Sequence, residues 1–519
     1  MNNDSSSRFP QEILEEIFNY LTQPYTLRSF DKMKLEVPSR RELLSCVLAC
    51  KAFSLPALRV LWHTLDSMMP LLKLLPNFKI VDDCYVLVGS IDNASSQRFD
   101  FYSLMVKRFL HRGLYDMWDD CDITDSVYHH LSIMRPMPLP SLTSFYYDVT
   151  DTEDPFHWMS FFLSASLKAA YVHIHPRNEA DLLIYLSLVR EVAPSFNQLV
   201  VENEVESTTC YLEVASQLEN LHTLHLTFPG SGHSSPSFQH DVRRFGALQF
   251  LEELRVESEN EEWISGDCQV AGQFPSLKRL YLGGSHSLVV TFLDVCQDAP
   301  LELLQMLGEL DNVACQGIFK TVARQWSETL TSFSIDPVIT SEGNLGDLVN
   351  FSNFIEPLYS SHRLRVFRLM SSRAIYMTDT DVAKLCDAWP HLTNLEINVA
   401  ARGVTDSPTQ VSLLTLSQRC PKLKQVTLPL YLSDIPPLND DIALSLPLSS
   451  HKLEKIDILI NENTPVNPDP ILVAFHLDAT FSHLKKVTAI INHISRTWNE
   501  VENVIRTYQI MRRRHGIRL

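Results

Sequence analysis

The sequence predicts an α/β protein, most of it one long stack of strand–helix units, and three observations predict it. The first is the stretch Phe274-Pro-Ser-Leu-Lys-Arg-Leu-Tyr-Leu282. Leu277, Leu280 and Leu282 follow the spacing L-x-x-L-x-L, and Leu280 and Leu282 alternate as in a strand with one buried face. Pro275 stops an incoming helix, so the stretch reads as helix, stop, short strand. The second is recurrence. The same phrase stands at Pro140-Ser-Leu142, Pro194-Ser-Phe196, Pro390-His-Leu392 and Pro421-Lys-Leu423, with copies lacking the proline at Leu167, Leu221, Leu251, Leu301, Leu330, Leu364, Leu453 and Leu484. The third is spacing: these thirteen marks fall 24 to 34 residues apart, with helical patterns between them.

A period near ~20–29 residues carrying this motif is the leucine-rich-repeat signature. One such unit cannot bury its apolar face alone, so neighbours stack. The expectation is an α/β fold in which an N-terminal helical segment is followed by a leucine-rich-repeat solenoid, or horseshoe. The boundaries read as 1–65 for the helical segment, 66–138 for linking helices and an irregular first repeat, 139–496 for the array, and 497–519 for a capping helix and basic tail.

Composition narrows the function classes. The 519 residues carry a formal net charge of −18, which speaks against nonspecific binding to nucleic acid or an anionic membrane, because phosphate contact needs clustered Lys and Arg. The one basic cluster, Arg512-Arg513-Arg514-His515, lies at the extreme end. The ten cysteines are scattered with no C-x-x-C pair, so neither a zinc ribbon nor a redox motif is expected. Reduced core thiols fit a cytoplasmic or nuclear compartment. Met1 to Ser7 lack the apolar core of a signal peptide, and no run of ~18 apolar residues is present to span a membrane.

From the N-terminus, Pro10 suits the first position of a helix. Ile13, Leu14, Ile17, Phe18 and Leu21 share one face, with Glu12, Glu15 and Glu16 in the first turns where the helix dipole favours them. A polar segment, Thr22 to Arg41, separates this from Leu43-Leu44, Val47-Leu48, Cys50-Lys51, Phe53 and the run ending in Leu61-Trp62. Here the sequence resembles the F-box family. That motif's first half stands as Phe9-Pro10, Glu12-Ile13-Leu14, Ile17-Phe18 and Leu21, and its second half as Leu44, Val47, Cys50, Lys51, Phe53, Leu61 and Trp62. Phe9 replaces the usual leucine, Phe53 the usual tryptophan, and the Thr22–Arg41 insertion lengthens the loop. The resemblance implies that Pro10, Ile13, Leu14, Ile17, Phe18, Leu21, Leu44, Val47, Leu61 and Trp62 bind a Skp-type adaptor. The alternative reading of the same residues is an amphipathic helical cap on the array.

Further along, Met69 to Pro76 and Phe99 to Phe109 read as helices, Tyr85 to Val88 as the strand of an irregular first unit, and Asp116 to Asp125 as a loop. Leu182, Leu183, Leu186 and Val189 form a helical stripe. Thr378-x-x-Asp381 reads as a capping box, and Thr497-x-x-Glu500 opens a terminal helix. Long polar loops are expected at Pro229–His240, Glu257–Cys268, Pro337–Asn344 and Asn461–Pro470.

No catalytic motif of the G-x-S-x-G, Walker or G-x-G-x-x-G type occurs. His173 and His175 form an H-x-H on a strand, with no third ligand in sight, and read as exposed strand histidines. No catalytic residue, metal or cofactor is expected, and the chain is read as a non-enzyme. What remains is surface: in L-x-x-L-x-L strands the intervening residues face outward, here Ser144, Tyr146, Thr223, His225, Glu253, Arg255, Arg279, Tyr281, Asn394, Glu396, Gln425 and Thr427. Arg255, Arg279 and Tyr281 stand out as a patch able to hold an acidic or phosphorylated segment of a target protein, unless Glu253 and Glu257 neutralise it. The resemblance implies a substrate receptor that joins a target to a Skp–cullin–F-box ubiquitin ligase through the adaptor. Without the resemblance, the reading is a leucine-rich-repeat scaffold or regulator with no ligase role. Neither nucleic acid nor membrane is expected as a partner.

Overall fold

A computed structural model describes residues 10–20, 37–89, 96–111, 122–148, 159, 161–174, 179–203, 211–228, 244–258, 274–308, 310, 312–337, 349–371, 375–399, 407–432, 451–459, 469–490 and 496–514. The chain divides into two compact units, Met1–Leu251 and Glu252–Leu519.

The N-terminal unit begins with helices α1 (Gln11–Asn19), α2 (Val37–Ala49) and α3 (Lys51–Leu61). Leu14 and Phe18 of α1, Leu43 of α2, and Ala57 and Val60 of α3 form one buried cluster. Arg59 reaches back to Glu15 at 2.6 Å. The chain then enters β1 (Thr64–Leu65) almost at once, and a short helix Met69–Leu72 comes after it.

A hairpin of β2 (Phe78–Val81) and β3 (Cys84–Leu87) comes next. Its two turn residues, Asp82 and Asp83, have φ of 48° and 60°, the paired positive values that match a tight turn to strand twist. After the helix Gln97–Ser103 come β4 (Arg108–His111) and β5 (Asp122–Ile123), and β5 pairs with β3. The Tyr85–Val88 strand therefore belongs to a separate three-stranded sheet, not to a first repeat unit. Of Phe99 to Phe109, read as one helix, only the first part is helical, and Phe109 lies in β4. The unit closes with β6 (Ser144–Asp148), β7 (Ala169–Ile174), β8 (Gln198–Asn203) and β9 (Thr223–Phe228), all parallel.

The C-terminal unit holds β10 (Glu253–Ser258), β11 (Arg279–Gly284), β12 (Leu303–Gly308), β13 (Ser332–Pro337), β14 (Val349–Asn350), β15 (Val366–Ser371), β16 (Ile375–Tyr376), β17 (Asn394–Val399), β18 (Gln425–Pro429), β19 (Lys455–Leu459) and β20 (Lys486–Ile490). β14 and β16 pair only with each other, and the rest join the main sheet in chain order. Leu254, Leu280, Leu304, Phe333, Phe367 and Leu395 lie opposite one another from strand to strand and are all buried. Burying each such side chain contributes roughly 1.5–3 kcal/mol before entropy is set against it.

The helices lie on the side to which these residues point. Phe319, on the helix Asn312–Trp326, meets Phe333 edge to face at 5.8 Å between ring centroids, and Trp389 meets Phe367 at 4.7 Å. The indole N–H groups of Trp326 and Trp389 donate to Ala299 O and Leu358 O, each closing one unit onto the one before. The capping box at Thr378 is present, with Asp381 accepting from the Thr378 amide at 2.8 Å and opening the helix Asp379–Ala388. The terminal helix Arg496–Arg514 buries Val501 and Ile505 and packs on β20.

Within the N-terminal unit β1, β4, β6, β7, β8 and β9 follow one another in a parallel sheet, and within the C-terminal unit β10, β11, β12, β13, β15, β17, β18, β19 and β20 do the same. This corrects the expected architecture of a separate F-box module followed by a leucine-rich-repeat horseshoe. The helices α1–α3 are not set apart from the sheet, because Trp62 ends α3, Thr64 begins β1, and β1 pairs with β4. Trp62 itself stacks on Tyr102 at 4.5 Å, tying the helical segment to the helix Gln97–Ser103. The L-x-x-L-x-L spacing specifies inward side chains and parallel neighbours, and nothing more. A regular horseshoe needs equal units, whereas among the described residues the helices between strands run from 4 residues at Met69–Leu72 to 15 at Asn312–Trp326.

Candidate functional site

In β10, β11, β12, β13, β15 and β17, alternate residues are buried under the helices and the others face away from them. The outward residues stand in three rows across the strands, set by the register of each parallel pair. The first row reads Glu253, Arg279, Leu303, Ser332, Val366, Asn394. The second reads Arg255, Tyr281, Gln305, Ser334, Arg368, Glu396. The third reads Glu257, Gly283, Leu307, Asp336, Met370, Asn398. Neighbours in a row are ~4.8 Å apart.

At the β10–β11 end the charges cancel in pairs. Arg279 lies opposite Glu253 and its Nε donates to that carboxylate at 2.7 Å. Burial opposes the Arg279 charge, but the hydrogen bond and charge of Glu253, with Tyr281 and Glu252, outweigh it and raise its pKa. Arg255 lies opposite Tyr281 and donates to Glu257 on its own strand at 2.7 Å. So Tyr281 stands opposite Arg255 while Arg279 stands one row away opposite Glu253, and each cation already has its carboxylate. The neutralisation weighed for Glu253 and Glu257 is what the geometry shows. At the other end Arg368 is held by Glu396 at 3.2 Å.

Between these pairs the third row changes character. Leu307 is 42% exposed and Met370 36% exposed, on strands that flank β13. Asp336 stands between them, opposite Leu307 and one residue beyond Ile335, the partner of Leu369. Burial pushes the Asp336 carboxyl above its usual range. On the far side of Leu307 is Gly283, over which the stem of Glu257 lies: a Cβ built there would come within 2.8 Å of Glu257 Cγ. Gly284 and Gly308 end their strands with φ of 143° and 155°, and a Cβ on Gly308 would sit 1.9 Å from Gly284 O. Only glycine fits that approach.

Leu307, Met370 and Asp336 were missed from the sequence. The signal that could have found them was an apolar residue at an outward position, in Leu304-Gln-Met306-Leu307 and Phe367-Arg-Leu369-Met370. Two outward positions singled out from the sequence are covered instead: Tyr146 and Thr427 are buried. His173 is half-buried and bonds Asp148 at 3.0 Å, while His175 lies outside the described residues. Among the described residues no group of three potential ligands is placed to hold a metal ion.

The N-terminal residues assigned to an adaptor separate into two sets. Leu14 and Phe18 are core, and Val47 and Leu61 pack against that core. Ile13, Ile17 and Leu44 are exposed. Pro10 is the exposed N-cap of α1, one position before the helix rather than inside it. Trp62 is half-buried on Tyr102, and Leu21 lies outside the described residues. The Pro229–His240 loop and most of Glu257–Cys268, Pro337–Asn344, Asn461–Pro470, Thr22–Arg41 and Asp116–Asp125 also lie outside them. Among the described residues no helix is long and apolar enough to cross a membrane.

No protein-family model matches the chain, and no curated protein matches it. The F-box resemblance of the first 65 residues therefore has no family behind it, and the helices that carry it run directly into the main sheet. This overturns the expectation of an F-box, leucine-rich-repeat substrate receptor in a ubiquitin ligase complex.

Proposed function

We propose that the protein is a binding scaffold that holds another protein on the outward face of β10–β17 and performs no covalent chemistry itself. The observation that carries this reading is the division of labour between the two faces of those strands. The inner residues, from Leu254 to Leu395, are buried and supply stability. The outer rows add little to folding, yet they hold two large apolar side chains in solvent, Leu307 and Met370, between self-neutralised ion pairs. An apolar centre rimmed by polar groups is the usual anatomy of a protein interface.

The test is site-specific photo-crosslinking in cells of the native source. A photoreactive residue at the exposed Gln305 is expected to give discrete protein adducts, and the same residue at Val313, exposed on the helix Asn312–Trp326, is expected to give none above background. Leu307→Glu with Met370→Glu is expected to remove the Gln305 adducts at least tenfold with an unchanged melting temperature. Equal labelling from both positions, or adducts indifferent to the double substitution, refutes the reading.

A further inference from the structure

We infer that the third outward row is a slot for a basic side chain of the partner, a lysine or arginine whose methylenes lie along Leu307 and Met370 and whose cation meets Asp336. The inference rests on the binding reading above and names the chemistry that the same face selects.

The argument begins with what Asp336 lacks. Every arginine in these rows is already committed: Arg255 to Glu257, Arg279 to Glu253, Arg368 to Glu396. The nearest of them, Arg368, stands opposite Ser334 on the adjacent strand and is turned to Glu396 on the other side. Among the described residues no ion pair or hydrogen bond is made to the Asp336 carboxylate. The next residue, Pro337, has no amide proton to offer it. Asp336 is nonetheless half-buried. A partly desolvated carboxylate without a donor is costly, and a cation that arrives with its own donors removes that cost.

The flanking residues say which cation. Leu307 and Met370 stand one strand to either side, so the walls of the slot are aliphatic and its floor is a carboxylate. A lysine or arginine has the matching profile, an apolar stem with a charged tip. A small hydrated cation would leave both walls in water. A partner glutamate would meet like charge at Asp336. Met370 adds a wall that adapts to either stem. Beyond Leu307 the space over Gly283 is taken by the Glu257 stem, so the slot ends at Leu307.

The experiment uses the full-length protein and an array of synthetic ten-residue peptides, identical except for one central position between two leucines that is Arg, Lys, Gln or Glu. The wild type is expected to retain the Arg and Lys peptides at least tenfold more than the Gln peptide, about 1.4 kcal/mol, and the Glu peptide least. Asp336→Asn is expected to bring Arg and Gln within twofold without reducing Gln retention, and Asp336→Glu to preserve the preference. A general attraction to an acidic protein of net charge −18 would survive Asp336→Asn, and that result overturns the inference. So does equal retention of Arg and Gln by the wild type. If Leu307→Glu with Met370→Glu abolishes the Gln305 adducts while Asp336→Asn leaves the peptide preference intact, the face binds protein but the slot is refuted. If Gln305 gives no adducts at all, the broader reading fails first.

Discussion

The outward faces of the two units have the same register and different dressing. In the N-terminal unit the middle outward row, from β4 to β8, is Leu110, Tyr146, Tyr171 and Val200, and these residues form a buried cluster with Ala169. Tyr146 and Tyr171 stack at 4.2 Å with their planes 9° apart. In the C-terminal unit the same row is Arg255, Tyr281, Gln305, Ser334 and Arg368, half-exposed or exposed. The inner rows of both units are alike and buried. The difference teaches that the inner face fixes the sheet and leaves the outer face free to become either core or surface. The binding face proposed above lies on the unit where the outer row stayed surface.

The sharpest way to break that comparison is across one strand. Leu280→Asp, on the inner row, is expected to cost at least ~4 kcal/mol, enough to unfold the C-terminal unit, because a buried charge there has neither solvent nor partner. A chemical denaturation curve close to the wild type would mean the inner row is not what holds the strands.

The next largest effect compares the outward tyrosines directly. Tyr171→Ser removes half of a buried stack and is expected to cost ~3 kcal/mol. Tyr281→Ser, at a half-exposed position, is expected to stay within ~1 kcal/mol. Melting temperatures of the two variants check this, and equal losses would erase the distinction between the faces.

The smallest expected effect concerns acid. His63, beside β1 in the N-terminal unit, has its pKa lowered to about 4, first by burial and then by the charges of Arg108 and Lys107. Its folded value thus lies below its unfolded one, and the unfolded chain binds the proton that the folded chain refuses. The stability contributed by the neutral ring is complete above pH ~6.5 and declines as pH falls toward about 4. His63→Gln is expected to flatten this part of the profile relative to the wild type, read as the difference between two urea titrations at each pH. A constant difference between pH 7 and pH 4.5 would show that His63 is not the titrating group.

How far the sequence carried can be judged from particular residues. Leu280 and Leu282 were legible as inward because strand alternation and the fixed leucine spacing agree, and both are buried. The alternation says nothing about what covers the opposite side, so Tyr146 and Thr427 were misjudged as surface. The ion pairs of Arg255 and Arg279 depend on which residue stands opposite which, and that needs the register of paired strands. The apolar stripe of α1 was legible as a helix. Its meaning was not, since an amphipathic helix looks the same whether Leu14 and Phe18 meet a partner or, as here, Leu43 and Val60. Asp336 escaped because a lone carboxylate in a chain with 62 acidic residues carries no mark until its neighbours are placed.

The chain-order pairing of the sheet has a consequence in time. Each main-sheet strand of the C-terminal unit after β10 bonds to the main-sheet strand before it, at separations from 24 residues (Leu280 to Leu304) to 34 (Phe333 to Phe367). No strand there waits for a distant stretch of chain, so loop closure costs about the same at every step. A ribosome adds ~5–20 residues per second. One further strand and its helix therefore emerge every few seconds, onto an edge already formed. The exposed edge moves along with synthesis until β20 is laid down and the helix Arg496–Arg514 packs against it. Until that helix emerges, the growing edge is where a nascent chain of this kind is open to mispairing with its neighbour.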